Sequence, residues 1–208
     1  MTLNLLKIYS DFRADFKDSP DFVIDFYSKH SLFINNIRTL KDKEDLRLFI
    51  ELTWQYLNAT YLKDRFNDTI DHADKTLAII DIEIKRLDVT DLKDIWYYGI
   101  LFLKGMASYN LRDYKNATPI FRQLIQVDSK NESYKRWLSN STYGEKLWLI
   151  NTTNIVCGLI ILASILFRDL IPVLMRFPLS AIGVLGLTST WVYGYYIKKS
   201  FRKAKNKT

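Results

Sequence analysis

Cysteine, histidine, glycine and proline are all scarce in this chain. The single cysteine, Cys157, excludes a disulfide framework within one chain. It lies inside an uncharged apolar run, where a buried, inert thiol is expected rather than a catalytic one. The two histidines, His30 and His72, have no second His or any Cys at metal-ligand spacing. Asp71, His72 and Asp74 stand together in "DHAD", but a helix fans neighbouring side chains around its axis, so this cluster reads as a solvated helical face. Seven glycines in 208 residues build no phosphate-cradling loop. No Gly-x-Ser-x-Gly occurs, and no serine or cysteine has an evident base nearby. The expectation is a protein that is not an enzyme and needs no cofactor or metal.

Prolines are equally informative. Only Pro20 and Pro119 precede residue 147, and no apolar alternation bounded by turn pairs marks a strand. The start, "MTLNLLKIYSDFRADF", is broken by Lys7, Asp11 and Arg13 and lacks a small-residue cleavage site, so no signal peptide is expected.

Charge is abundant and unevenly placed. The net charge of +7 first suggests nucleic acid. However, residues 1–146 carry 22 Lys+Arg against 22 Asp+Glu, and residues 147–208 carry 8 Lys+Arg against one acid, Asp169. Six cations fall in the closing "KKSFRKAKNKT". The basicity belongs to a tail, and no nucleic-acid partner is expected.

Two runs of twenty-one uncharged residues explain the tail: "LWLINTTNIVCGLIILASILF" at 147–167 and "FPLSAIGVLGLTSTWVYGYYI" at 177–197. Each would make a helix about 31 Å long, the thickness of a hydrocarbon core. The expectation is two transmembrane helices joined by a short loop or interfacial segment at 168–176, where Pro172, and Pro178 just beyond it, prevent one continuous helix. A basic tail at 198–208 places the C-terminus in the cytoplasm, and two spans place the N-terminal region there too. Trp148, Trp191, Tyr195, Tyr196, Lys198 and Lys199 would then anchor one interface. Small residues Gly158 and Ala163 in the first span, and Gly186, Thr190 and Gly194 in the second, would let helices approach. Their partner is either the other span or a second copy of the chain. "NTTN" at 151–154 is either a wet helix end or a polar seam. A bacterial inner membrane suits this pattern.

The region before residue 143 reads as helices at roughly 3–16, 21–38, 42–65, 66–87, 91–110, 114–127 and 131–142. Two stretches align with each other: "FNDTIDHADKTLAI" from Phe66 and "YKNATPIFRQLIQV" from Tyr114, each an aromatic followed three residues later by a small residue, Thr69 or Ala117. Upstream stand Trp54, Leu57, Asn58 and Tyr61 in "WQYLNATY", and Gly105 and Tyr109 before "NLRDYKNA". This pattern resembles the tetratricopeptide repeat, most clearly over 98–129 and less closely over 51–79, with 131–142 as a capping helix. It departs from that family in a 48-residue spacing, in Asn58 where Gly or Ala is usual, and in Ser129 where proline is usual. The resemblance implies an all-α domain of antiparallel helical hairpins at 1–143. Trp54, Tyr61, Tyr114, Ala117 and Phe121 would pack its core. A concave partner-binding face would include Gln55, Lys63, Phe102, Met106, Tyr109 and Asn110. It also implies protein partners, though not a terminal carboxylate, because the family's Lys/Asn clamp for that group is missing.

Two functions follow as expectations. One is a membrane-anchored interaction module that recruits or organises a partner at the cytoplasmic face. The other is a membrane effector of the toxin or phage-defence type, whose hairpin oligomerises and perturbs the bilayer when the helical domain senses a partner.

Overall fold

The computed structural model describes residues 4–89, 96–166 and 173–205. Among them the protein is all-α, with eight helices and no strand. The chain divides into two compact units, residues 1–135 and 136–208.

The first unit holds α1 (Leu5–Ala14), α2 (Pro20–Ile34), α3 (Lys43–Leu62), α4 (Phe66–Leu87), α5 (Tyr98–Asn110), α6 (Tyr114–Val127) and the opening turn of α7 (Glu132–Leu166). Short polar residues start these helices because their side chains satisfy the free N–H groups of a first turn. Asn4 accepts from Lys7 N–H at 2.8 Å, Asp42 from Asp45 N–H at 3.0 Å, and Asn131 from Ser133 N–H at 3.1 Å. Pro20 opens α2, where a missing N–H costs nothing.

Packing runs in succession. α1 meets α2 and α3, α2 meets α3, α3 meets α4 and α5, α4 meets α5, and α5 meets α6. The core is Ile8, Phe12, Leu46, Ile50, Leu57, Ile80, Ile100, Phe121 and Leu124, all fully or almost fully buried. Burial of such side chains is the main term holding the unit together, at ~1.5–3 kcal/mol each.

The pairs α3/α4 and α5/α6 turn in the same way. Arg65 N–H donates to Thr60 C=O at 2.9 Å, and Asp113 N–H to Ser108 C=O at 2.9 Å. Asp64 N–H reaches Tyr61 C=O at 3.1 Å, and Arg112 N–H reaches Tyr109 C=O at 2.9 Å. Asp64 and Arg112 hold the left-handed conformation, with φ of 57° and 62°. Each turn is thus a Schellman motif closed without the usual glycine. The rings meet alike at steep angles, Tyr61 with Phe66 at 5.6 Å and 59°, and Tyr109 with Tyr114 at 5.4 Å and 68°. Every one of these pairs is related by the offset that takes Phe66 to Tyr114. The arrangement is compatible with a helical-repeat fold.

The hairpins differ where their helices touch. A Cβ on Gly105 would lie 2.9 Å from both Ile120 Cγ2 and Phe121 Cε1, so α5 yields space to the α6 ring. The equivalent positions in the first hairpin are Leu57 and Ala73, both buried. There the bulk sits on the first helix and the small residue on the second. Core volume is kept by exchanging the two sizes.

The second unit contains α7 beyond residue 135 and α8 (Val173–Lys205). Three expectations change here. The capping helix and the first span, expected as separate helices at 131–142 and 147–167, are one unbroken helix, because "YGEK" at 143–146 holds no proline and its one glycine, Gly144, is buried within the helix. Pro178 lies inside α8 rather than before it. As the sixth residue of the helix, it forgoes the hydrogen bond to the Leu174 carbonyl. The basic tail is helical as far as Lys205; residues 206–208, residue 167 at the end of the expected first span, and 168–172 of the expected 168–176 loop lie outside the described residues.

Two equivalent spans were expected. By length and composition one helix among the described residues, α7, can cross a membrane.

Candidate functional site

The expected concave face is partly consumed by the domain's own packing. Lys63 Nζ lies 2.7 Å from Asp21 Oδ2, tying α3 to the start of α2. Phe102 sits between two rings, 6.1 Å from Phe121 and 5.1 Å from Tyr134. Tyr109 meets Tyr114 edge to face, and burial raises its hydroxyl pKa above the ordinary value, with Tyr114 adding to the shift. Asn110 donates to the Tyr61 hydroxyl at 3.1 Å, linking the ends of α5 and α3. Gln55 and Met106 are half-buried. Among the other residues read as core, Ala117 and Phe121 are fully buried, while Trp54, Tyr61 and Tyr114 are half-buried.

Two buried polar groupings lay outside the sequence reading. Glu83, fully buried on α4, accepts from Leu40 N–H at 3.2 Å and from Arg86 Nε at 3.0 Å. Arg86 also donates to the Leu40 carbonyl. The pair clamps the α2–α3 connection onto α4, and the Arg86 bond holds the Glu83 carboxyl below its ordinary pKa. A lone acid between Ile82 and Ile84 was the available signal. Tyr27 and Tyr56 stack at 3.8 Å, with His72 edge-on at 5.7 and 4.9 Å. Burial, then Lys75, pushes the His72 pKa down. Among the described residues no three His, Cys, Asp or Glu side chains gather to hold a metal ion.

In the second unit α8 runs antiparallel against α7. A Cβ on Gly194 would lie 3.8 Å from Ile150 Cδ1, Thr190 donates to Asn154 Oδ1, Cys157 lies against Gly186, and Ile161 packs on Gly183. On α7 these positions advance by four and three residues alternately, the spacing of a coiled-coil seam. Gly183, Gly186 and Gly194 let side chains of α7 reach the α8 backbone: a Cβ on Gly183 would lie 2.5 Å from Ile161 Cγ1. The expected stripe of Gly186, Thr190 and Gly194 therefore packs on α7. Gly158 does not join it, because the contact is made one residue earlier by Cys157; a Cβ on Gly158 would meet nothing within 4 Å. Ala163 is half-buried.

This register brings Trp148 level with Tyr196. Trp148, Trp191, Tyr195 and Tyr196 are all exposed, and Lys199 Nζ stands 5.9 Å over the Tyr195 ring. The Lys198 side chain lies outside the described residues. Leu159, Leu162, Ile165, Leu166, Val184 and Leu185 are exposed as well.

In comparisons with known proteins, no family model, no curated protein and no solved structure matches the chain.

Proposed function

We propose that this chain is a membrane-anchored interaction module: a tetratricopeptide-like helical domain held at the cytoplasmic face by α7 and α8, which cross the bilayer as a hairpin with both termini in the cytoplasm. The observation that carries the reading is the exposure of α7. Only 17% of its most apolar eighteen-residue window is buried. A core helix of a water-soluble protein hides such a surface, and an exposed apolar patch of this size marks a membrane or protein contact. Hydrocarbon is the environment that accepts it.

Further features support the reading. α7 is about 52 Å long by its residue count, enough for a span plus a polar extension into the cytoplasm. Tryptophan, tyrosine and lysine collect at one level of the pair, as at a headgroup layer. Charge in the first unit balances, which suits specific protein contacts over non-specific binding. Recruitment of a protein partner rests on the repeated hairpins. With Phe102, Tyr109, Asn110 and Lys63 engaged internally, Gln55 and Met106 are the expected positions still available for a ligand.

Replacing residues 147–205 by an unrelated two-span anchor tests this function. Partner recruitment is then expected to persist at the membrane. The second reading, a bilayer-perturbing effector, is favoured by one observation: Asn151 is exposed on the apolar stretch of α7. It predicts that the exchange abolishes activity and that the native chain depolarises membranes. Either result would overturn the anchor as a passive element.

A further inference from the structure

Of the four residues in "NTTN", three are satisfied within the chain. Thr152 and Thr153 donate to the carbonyls of Trp148 and Leu149, each at 2.9 Å, and Asn154 accepts from Thr190. Asn151 alone has an exposed amide with no hydrogen-bond partner among the described residues. It stands one turn beyond Trp148, on the membrane side of that ring.

Asn151 begins a second stripe: Asn151, Ile155, Gly158, Leu162 and Ile165. The spacing again alternates four and three. This stripe is offset by one residue, about 100° around the helix, from the seam that holds α8. Ile155, Leu162 and Ile165 are exposed, and Gly158 leaves an open hole at the stripe's centre. It borders the established α7–α8 interface and has the same periodicity, but no partner in this chain.

We infer that this stripe is the surface on which a second copy of the chain docks, through α7 against α7 in parallel. The inference rests on the membrane reading. Every copy inserts with the same topology, so copies meet in parallel at equal depth. A parallel two-fold pair brings each stripe residue against its own counterpart. Asn151 then faces Asn151, and a primary amide is its own complement, donating and accepting at once. Lipid chains offer that amide nothing. Gly158 then faces Gly158, and two missing side chains let the backbones close. Ile155, Leu162 and Ile165 fill the remaining knob and hole positions. An apolar stripe without Asn151 and Gly158 would fit lipid equally well; these two residues select a second copy.

Disulfide crosslinking of the full chain in native membranes tests this. In a Cys157→Ala background, single cysteines replace Ile155, Leu162 or Ile165 on the stripe, and Thr152, Val156 or Leu159 off it. Oxidation is expected to give dimers at the first three, about tenfold above the others. Gly158→Leu, or separately Asn151→Leu, should lower dimer at Leu162→Cys by about tenfold. Uniform crosslinking, a maximum off the stripe, or no dimer from a chain that resists alkaline carbonate extraction would overturn the inference while leaving the membrane reading intact. Release of the chain by carbonate would overturn the membrane reading and the dimer with it.

Discussion

The two units of this protein are packed in opposite senses. In the first, Phe12, Leu46, Ile80 and Phe121 are inside, with Glu83 a buried charge paired to Arg86. In the second, Ile150, Cys157 and Ser164 are inside, while Leu159, Leu162, Val184 and Trp191 are outside. Water enforces the first arrangement, because apolar burial is the largest favourable term available there. Within hydrocarbon that term vanishes between helices, and close approach through small residues and shared hydrogen bonds replaces it. Gly183, Gly186 and Gly194 hold α8 against α7 in the way that Leu57 and Phe121 fill the core of the helical hairpins. The reversal shows that glycine does different work in the two units. At Gly105 it yields to a large ring, and at Gly186 it admits a neighbouring helix.

Substitutions separate the two kinds of packing. The largest effect is expected for Phe121→Ala, about 4 kcal/mol lost from the first unit, with Gly105→Leu costing about 3 kcal/mol by overpacking. The double variant reproduces the size order of Leu57 and Ala73 in the first hairpin. Its cost should fall short of the sum by about 2 kcal/mol, measured by hydrogen exchange of α5 and α6 in the full chain. Simple additivity would break the equivalence of the hairpins.

Gly186→Leu is expected to cost about 2–3 kcal/mol, confined to the second unit and read as faster exchange in α8 with α5 and α6 unchanged. Next comes Glu83→Ala, at about 2 kcal/mol, since Leu40 N–H and Arg86 lose their acceptor. The Glu83 carboxyl titrates below its unfolded value. Its contribution is therefore fully present above the ordinary Glu pKa of about 4.3 and is lost as pH falls through the lower folded value. Unfolding against pH should show that acid loss in the native chain and a flatter acid limb in Glu83→Ala. The smallest effect is a gain. Arg112 holds φ of 62°, so Arg112→Gly should stabilise the second hairpin by ~0.5–1 kcal/mol, seen as a higher unfolding midpoint.

Much of the first unit was legible because helical spacing and repeat register are local properties. The aromatic-to-small spacing from Phe66 and Tyr114 located both hairpins and their offset. The concave face was less legible. Which of Phe102, Tyr109 and Asn110 faces outward depends on Tyr134, Tyr114 and Tyr61, partners 5 to 49 residues away in sequence. The Glu83 clamp was hidden for the same reason, since Leu40 is far along the chain. In α7, the change from polar to apolar at residue 147 marks no helix end, because polarity can change along a helix without interrupting its backbone hydrogen bonds. Gly158 and Cys157 are adjacent in sequence, yet only packing decides which of them faces α8.

The proposed function requires α7 to lie in hydrocarbon. The most direct measurement places a spin label at Leu159 in the Cys157→Ala chain, reconstituted in liposomes, and compares relaxation by dissolved oxygen with relaxation by a water-soluble nickel chelate. High oxygen access with nickel excluded is the predicted result. Strong relaxation by nickel, or protection from both reagents as in a water-soluble core, would contradict it.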